Sequence, residues 1–405
     1  MSGAAIAAFR IHKACRSIGI DSKFYTDISR SGDWTVKGPV HKVDKIKGLA
    51  RGHIGNTLTN IMNTTNPILH SPSVLPSKWK NKLNNSIDDI VHLHWIAAEM
   101  LSIADIGKIR KPLIWTLHDM WAFCGAEHIS NDNRYIDGYR SSNRPEYEKG
   151  FDLNRWTWNR KVKHWKKPIQ IVTPSNWLAK CARNSSLMRD WPIQVVPNAI
   201  NTDQWRPINQ ATARELLGLP RNEQILLFGA MGGAYEHHKG YDLLENAIQH
   251  LNGEIENLRL VVFGQSKPKN PPNLGFPVKF MGRIFDQISL CLLYNAADAL
   301  VIPSRVDNLP NTGVESLACG TPVISFDTCG LPDIVSHKKT GYLAKPFESE
   351  SLASGIKWVL KQTGNGKQIP SLLSKNARKK SIDQYSYPVI SKKYLNIYKK
   401  ILNDT

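Results

Sequence analysis

Residues 301–327, VIPSRVDNLPNTGVESLACGTPVISFD, constrain the fold more than any other stretch. An apolar strand (Ala299 to Pro303) enters a polar loop, a helix begins near Thr312, and a second strand runs from Pro322 to Asp327. Strand, helix and strand in that order imply a crossover and parallel pairing in a covered sheet. The rhythm extends both ways. From about residue 206 it reads ILLFGA (225–230), a helix at 240–251, RLVVFG (259–264), VKFMG and a helix at 286–296. After the 301–327 unit come TGYLA and a helix near 348–362.

The first half alternates in the same way. A helix at 4–19 sets Ile6, Phe9, Ile11, Ala14 and Ile18 broadly on one side, with Gly19 as its stop. DSKFYT, DIVHLHWI (89–96), PLIWTLHD (112–119), QIVTPS (170–175) and QVVPN (194–198) read as short buried strands. Residues 27–88 are weakly patterned and read as a loop-rich insertion with short helices, and 383–405 as a closing amphipathic helix. A chain of 405 residues suits two domains of about 200 each. Joined near Asn198 to Pro207, the two α/β halves would face each other across a cleft, with ligands outside the strand carboxyl ends. One element is expected but lacking: no strand precedes the helix at 4–19. That would be the central first strand of a doubly wound sheet, and its loss would expose sheet edges and core.

The chemistry concentrates around 307–315. Asp307 lies on the loop and Glu315 inside the helix, eight residues on. Between them stand Asn308, Leu309, Pro310, Asn311, Thr312 and Gly313, whose amides gather where the helix starts. The first N–H groups of a helix lack intrahelical partners and the dipole adds positive potential, so this end attracts anions. Two carboxylates beside it suit a ligand carrying hydroxyls and phosphate, such as a nucleotide sugar.

Charge adds a second constraint. Fifty-three Lys and Arg against 34 Asp and Glu leave a formal +19, which favours an anionic partner or surface. The basic residues meet tryptophan in RWTWNRKVKHWKK (155–167). As a helix, this segment sets Trp158, Val162 and Trp165 on one face, with Lys161, Lys163 and Lys166 off it. The expected role is a surface helix docking its aromatic stripe into the core; contact with an anionic bilayer is the second reading. No recognised motif points to nucleic acid. No apolar run reaches about 18 residues and no secretory leader opens the chain. The six cysteines (15, 124, 181, 291, 319, 329) are scattered without a C-x-x-C pair, as in a cytoplasmic protein without disulfides or a zinc site.

SGAAIAAFRIHKA, WTLHDMWAFCGAEH, VTPSNWLA, VVPNAI, GAYEHHKGYDLL and DNLPNTGVESLACGTPVISFDTCGLPDIV, in this order and spacing, resemble the retaining glycosyltransferases of family 4. The resemblance spans nearly the whole chain. It implies a GT-B fold of two Rossmann-like domains: an acceptor domain at 1–205, a nucleotide-sugar donor domain at 206–382, and a C-terminal helix at 383–405 packing back on the first. It implies transfer of a hexose from a nucleoside diphosphate sugar to an acceptor hydroxyl with retention. No metal or other cofactor takes part.

The family's acidic motif has two glutamates separated by seven residues; here the first is Asp307, one methylene shorter. By the resemblance Glu315 holds the ribose hydroxyls, Asp307 reaches hydroxyls of the sugar, and Lys239 neutralises the diphosphate. Gly229 ends the strand before the donor. An arginine often found just beyond it is replaced by Ala230, which leaves His238 or Arg283 as the second cation. His118, at the end of its strand, lies near the sugar and acceptor. Asp119 orients it or caps the next turn. Gly3 belongs to a glycine loop against phosphate or acceptor, while His92 and His94 are read as packing residues. The acceptor is a growing cell-surface glycan (exopolysaccharide or O-antigen) or its lipid-linked oligosaccharide, reached from the inner face of the membrane. Two rivals accompany this reading: a GT-B protein that binds nucleotide sugar without catalysis, and a basic nucleic-acid-binding protein.

Overall fold

The structure, a computed structural model, describes residues 2–27, 32–39, 42–60, 62–229, 236–363 and 371–404. The chain divides into two units: Met1–Val196 with Ser391–Thr405, and Pro197–Ile390.

In the second unit, β9 (Gln224–Gly229), β10 (Leu258–Phe263), β11 (Val278–Phe280), β12 (Ala299–Ile302), β13 (Val323–Phe326) and β14 (Gly341–Ala344) form one sheet. All its pairings are parallel and its order is β11-β10-β9-β12-β13-β14. Every residue of β12 and β13 is buried, as expected of parallel strands covered on both faces. Their apolar side chains enter two cores, one with Leu317 and Ile334 and one with Leu244 and Ile356. The strand order reverses between β9 and β12. Loops leaving those two strands therefore diverge and leave a crevice at their carboxyl ends, the usual ligand position of a doubly wound sheet.

The first unit has β4 (Val91–Leu93), β5 (Leu113–Thr116), β7 (Gln170–Thr173) and β8 (Ile193–Val195) in a parallel four-stranded sheet. β1 (Phe24–Tyr25) and β2 (Val36–Lys37) form a separate parallel pair. β3 (Met62–Thr64) pairs antiparallel with β6 (Glu148–Gly150). The helix Tyr387–Asn403 closes this unit: Tyr394 Oη lies 3.1 Å from Thr116 Oγ1, and Tyr398 Oη 2.9 Å from His92 Nδ1.

Several sequence expectations change. The second compact unit begins at Pro197, upstream of the expected 205/206 boundary, and buries Ile200 and Trp205 in its core. The stretch 27–88 contains the 18-residue helix Lys42–Thr59 rather than short helices alone. The closing segment is divided: the helix Leu372–Tyr385 ends at Ser386, and the next starts at Tyr387 with Pro388 in its first turn. Proline suits a first turn, where its absent N–H has no intrahelical partner to lose.

Of the stripe expected on the helix Leu153–His164, Trp165 is buried and Trp158 half-buried, its ring 5.7 Å from that of Tyr139. Leu153, Asn154, Thr157 and Lys161 are buried, whereas Val162 is exposed. Lys161 Nζ donates to the carbonyls of Trp121, Cys124 (3.0 Å) and Gly125 (2.6 Å), and lies 4.0 Å from the Trp121 ring centroid. Trp165 packs just beyond the helix, its Nε1 donating to Ile103 O at 2.9 Å. Among the described residues no helix is long and apolar enough to cross a membrane.

Candidate active site

The crevice between β9 and β12 is assembled by a turn on one side and a loop on the other. The turn His237–Lys239 ends at Gly240, whose φ of +67° is left-handed. A Cβ there would lie 2.0 Å from Pro303 O, so only glycine lets this turn approach the end of β12. Arg305 stitches the two together. Its N–H donates to His238 O at 2.8 Å, and its guanidinium reaches His237 O and both carboxylate oxygens of Asp242.

This approach places Lys239 Nζ 2.8 Å from Asp307 Oδ2, with Ser304 Oγ donating to the same oxygen at 3.3 Å. The Asp307 charge raises the lysine pKa, so the ammonium stays protonated. Two residues assigned separate jobs from sequence thus form one ion pair. One turn into the helix Asn311–Ala318, Glu315 is only 5% exposed and accepts a hydrogen bond from Tyr294 Oη at 2.9 Å. Its burial and its partner exclude a merely solvated helix residue. The Pro310 cap contributes no side-chain hydrogen bond to the helix start. Asn198 Nδ2 holds the loop in place by donating to Leu309 O at 3.0 Å and Asn311 Oδ1 at 3.3 Å.

Other residues of the motif build the site indirectly. The Leu309 side chain is buried in the core, so it anchors the loop rather than facing a ligand. Gly313 is needed for packing, since a Cβ would meet Ile334 Cδ1 at 2.9 Å and Ile302 Cδ1 at 3.1 Å. Gly229 closes β9 where a Cβ would press on the Phe263 ring at 3.1 Å. Asn308, Pro310, Asn311 and Thr312 remain half-exposed along the loop and the first turn. Ala230 lies outside the described residues. Of the suggested second cations, Arg283 is exposed, and His238 Nε2 lies 3.5 Å from Glu236.

In the first unit His118 follows β5 and is half-buried, its Nε2 3.1 Å from His94 Nδ1. Burial lowers its pKa to about 4, so the ring is neutral near pH 7 and offers one donor and one acceptor. His94 therefore does more than pack: it shares a hydrogen bond with His118. His92 remains structural, bridging Tyr398 and Thr116 at 2.9 and 2.8 Å. Of the two roles expected of Asp119, capping of the next turn is seen. Its Oδ2 accepts from Trp95 Nε1 at 2.9 Å and pairs with His128 Nδ1 at 2.6 Å, while Oδ1 caps the Trp121 N–H at 3.0 Å. Burial alone would raise the Asp119 carboxyl, but His128 beside it and these hydrogen bonds hold it below its ordinary range. Gly3 is the exposed first residue of the helix Gly3–Ser17, with Ser2 capping the amide of Ala5. Among the described residues no cluster of three or more His, Cys, Asp or Glu is arranged to hold a metal ion.

Sequence reasoning passed over Tyr294, Ser304, Arg305, Asn198 and His128. Tyr294 had one weak signal: a lone tyrosine in the apolar helix Gln287–Ala296 must bury its hydroxyl against some acceptor. Arg305 and Asn198 depend on contacts between segments distant in sequence, whereas Ser304 and His128 act on carboxylates three and nine residues away.

The family profile described as glycosyl transferases group 1 matches residues 210–380, and that of glycosyltransferase family 4 matches residues 49–204. An uncharacterized glycosyltransferase of Methanocaldococcus jannaschii is 28% identical over 57% of this chain, which spans 60% of that relative's length. Sucrose-phosphate synthase from Thermosynechococcus elongatus superposes with a TM-score of 0.65 at 18% identity, covering 100% of this chain and 94% of that one. Anabaena HepE in complex with UDP and glucose superposes at 0.61 with 15% identity, covering 98% and 96%. At these identities the superpositions establish the two-domain GT-B fold.

Proposed function

This chain belongs to the group 1 glycosyltransferases of family 4, and we propose that it transfers a hexose from a nucleoside diphosphate sugar to an acceptor hydroxyl with retention. One observation carries this reading: Lys239, Asp307 and the buried Glu315 converge on the crevice of a single sheet. Glu315, fixed by Tyr294, takes the ribose hydroxyls. The diphosphate lies against the first amides of the helix Asn311–Ala318 and the Lys239 ammonium. That ammonium has three N–H donors, so it can stay on Asp307 and still reach phosphate oxygens. As the bond from the anomeric carbon to the phosphate oxygen breaks, this cation stabilises the charge gathering on the leaving diphosphate. Asp307 holds sugar hydroxyls through its remaining acceptor capacity. In the first unit, neutral His118 hydrogen-bonds a hydroxyl on the acceptor side.

UDP-glucose is the first donor to try, since UDP and glucose occupy the HepE structure. Nucleoside diphosphate release from a panel of UDP- and GDP-hexoses, in the presence of lipid-linked acceptor extract, should fall at least about tenfold in Glu315→Ala and Lys239→Ala. Tight donor binding without release in any extract would replace the enzyme with a non-catalytic binding protein.

The acceptor we favour is a lipid-linked glycan at an anionic membrane face. Phe151 and Trp156 are exposed and meet edge-to-face at 6.0 Å, beside exposed Arg155, Lys163, Lys166 and Lys167. Cosedimentation with vesicles containing phosphatidylglycerol should exceed that with phosphatidylcholine alone, and should weaken in Trp156→Ala. Equal pelleting with both lipids would remove the membrane contact.

A further inference from the structure

The second unit holds a pair of thiols that the scattered cysteines of the sequence do not announce. Cys291 and Cys319, 28 residues apart, bring their Sγ atoms to 3.7 Å, both buried in the core. Cys291 lies on the helix Gln287–Ala296, three residues before Tyr294. Cys319 caps the helix Asn311–Ala318, four residues after Glu315. Residues three or four apart share a helix face, so the thiol pair and the Tyr294–Glu315 hydrogen bond are neighbouring rungs between the same two helices. A third tie joins these segments, Thr321 Oγ1 donating to Tyr294 O at 2.6 Å.

The surroundings single out one sulfur as the nucleophile. As a thiol, Cys291 donates to the carbonyls of Gln204 at 3.7 Å and Arg206 at 3.8 Å. As a thiolate it accepts from Asn295 Nδ2 at 3.6 Å and from the Cys319 thiol. The hydrogen bond from Cys319 lowers the Cys291 thiol to about 6, whereas burial raises Cys319. Both sulfurs are nearly enclosed, which favours a small oxidant. We infer that Cys291 and Cys319 form a reversible disulfide with hydrogen peroxide as oxidant, and that this bond unseats the carboxylate of Glu315. The Cys291 thiolate attacks one peroxide oxygen; the O–O bond breaks, hydroxide leaves and takes up a proton as water, and Cys291 becomes a sulfenic acid. The Cys319 sulfur then attacks the Cys291 sulfur, the S–O bond breaks, and a second water leaves with the Cys319 proton. The two thiols lose two electrons and peroxide gains them; a dithiol reductant reverses the bond by exchange. A disulfide sets its sulfurs about 2.05 Å apart, so the helices close by roughly 1.6 Å at this rung. A comparable displacement one turn away takes Tyr294 Oη out of hydrogen-bond range of Glu315. The bond is independent of the donor-site reading; its consequence for the nucleotide rests on that reading.

The test treats the full reduced chain with hydrogen peroxide and maps its peptides by mass spectrometry without reduction. A linked Cys291–Cys319 pair lacking two hydrogens should form and should disappear with dithiothreitol. On the same samples, the Kd for UDP by calorimetry should rise about tenfold on oxidation and return on reduction. Cys291→Ala, or Cys319→Ala should the first variant misfold, should bind UDP as the reduced chain does and ignore peroxide. Recovery of both thiols free, or of Cys291 as a sulfinic acid without the link, would overturn the inference. An unchanged Kd in the linked protein would overturn the coupling to Glu315. So would a response that persists in Cys291→Ala, because Cys329, whose Sγ lies 3.7 Å from Arg305 O, would then be its source. A reduced chain that binds no UDP would count against the donor site instead, and the linked peptide would still decide the bond.

Discussion

Glu315 and Tyr294 show how one contact separates a site residue from a surface one. The carboxylate is buried and the hydroxyl donates to it at 2.9 Å, so its direction is set before any ligand arrives. Removing that hydroxyl should weaken nucleotide binding without abolishing it. Tyr294→Phe should raise the Kd for UDP about tenfold by isothermal titration calorimetry, since a hydrogen bond to a charged group contributes about 1.5–3 kcal/mol. Glu315→Ala should cost more. An unchanged Kd in Tyr294→Phe would mean that the tyrosine only fills space. At this scale the sequence displayed which carboxylates matter, through the 307–315 spacing, and not what they touch. The Lys239–Asp307 pair joins residues 68 positions apart, and nothing local to either one signals it.

Among the elements, the helix Leu153–His164 departs most from its sequence pattern. Aromatic residues at helical spacing suggested an apolar docking stripe, but the buried face also carries Lys161, whose ammonium ties down three carbonyls of the loop 121–125. Burial lowers that ammonium to about 7, and the carbonyls and the Trp121 ring replace water around it. Lys161→Met leaves the carbonyls without their donor. It should lower unfolding stability by about 2–3 kcal/mol, at roughly 1 kcal/mol per lost hydrogen bond. Lys163→Met, on the exposed side, should stay within about 0.5 kcal/mol. Urea titrations of both variants decide the matter, and equal losses would contradict the clamp. The strand–helix alternation was legible because parallel strands buried on both faces must be apolar throughout. The lysine on the inward face of this helix was not, because a loop of exposed carbonyls can satisfy a lysine as well as a core satisfies a tryptophan.

Across the whole molecule, buried neutral histidines set a pH limit. Burial holds His118 and His12 at about 4 and His92 at about 3, against an ordinary 6.5. The unfolded chain therefore binds more protons than the folded one between those values. The stability these residues contribute is fully present above pH 6.5 and lost as pH falls toward 4. The urea midpoint of the first unit, followed by tryptophan fluorescence, should drop steadily from pH 7 to 5, and His92→Asn should flatten that slope. A midpoint independent of pH in this range would refute the assignment. The sequence by itself determined the two α/β halves and the position of the acidic motif. These follow from local periodicity and from the covalent order of elements, which chain connectivity cannot change. Tertiary structure alone decided that Lys239 pairs with Asp307, that His94 meets His118, and that Trp205 belongs to the second core. Each is a contact between segments far apart in the chain, and its existence depends on how strands are ordered in a sheet rather than on any residue's neighbours in sequence.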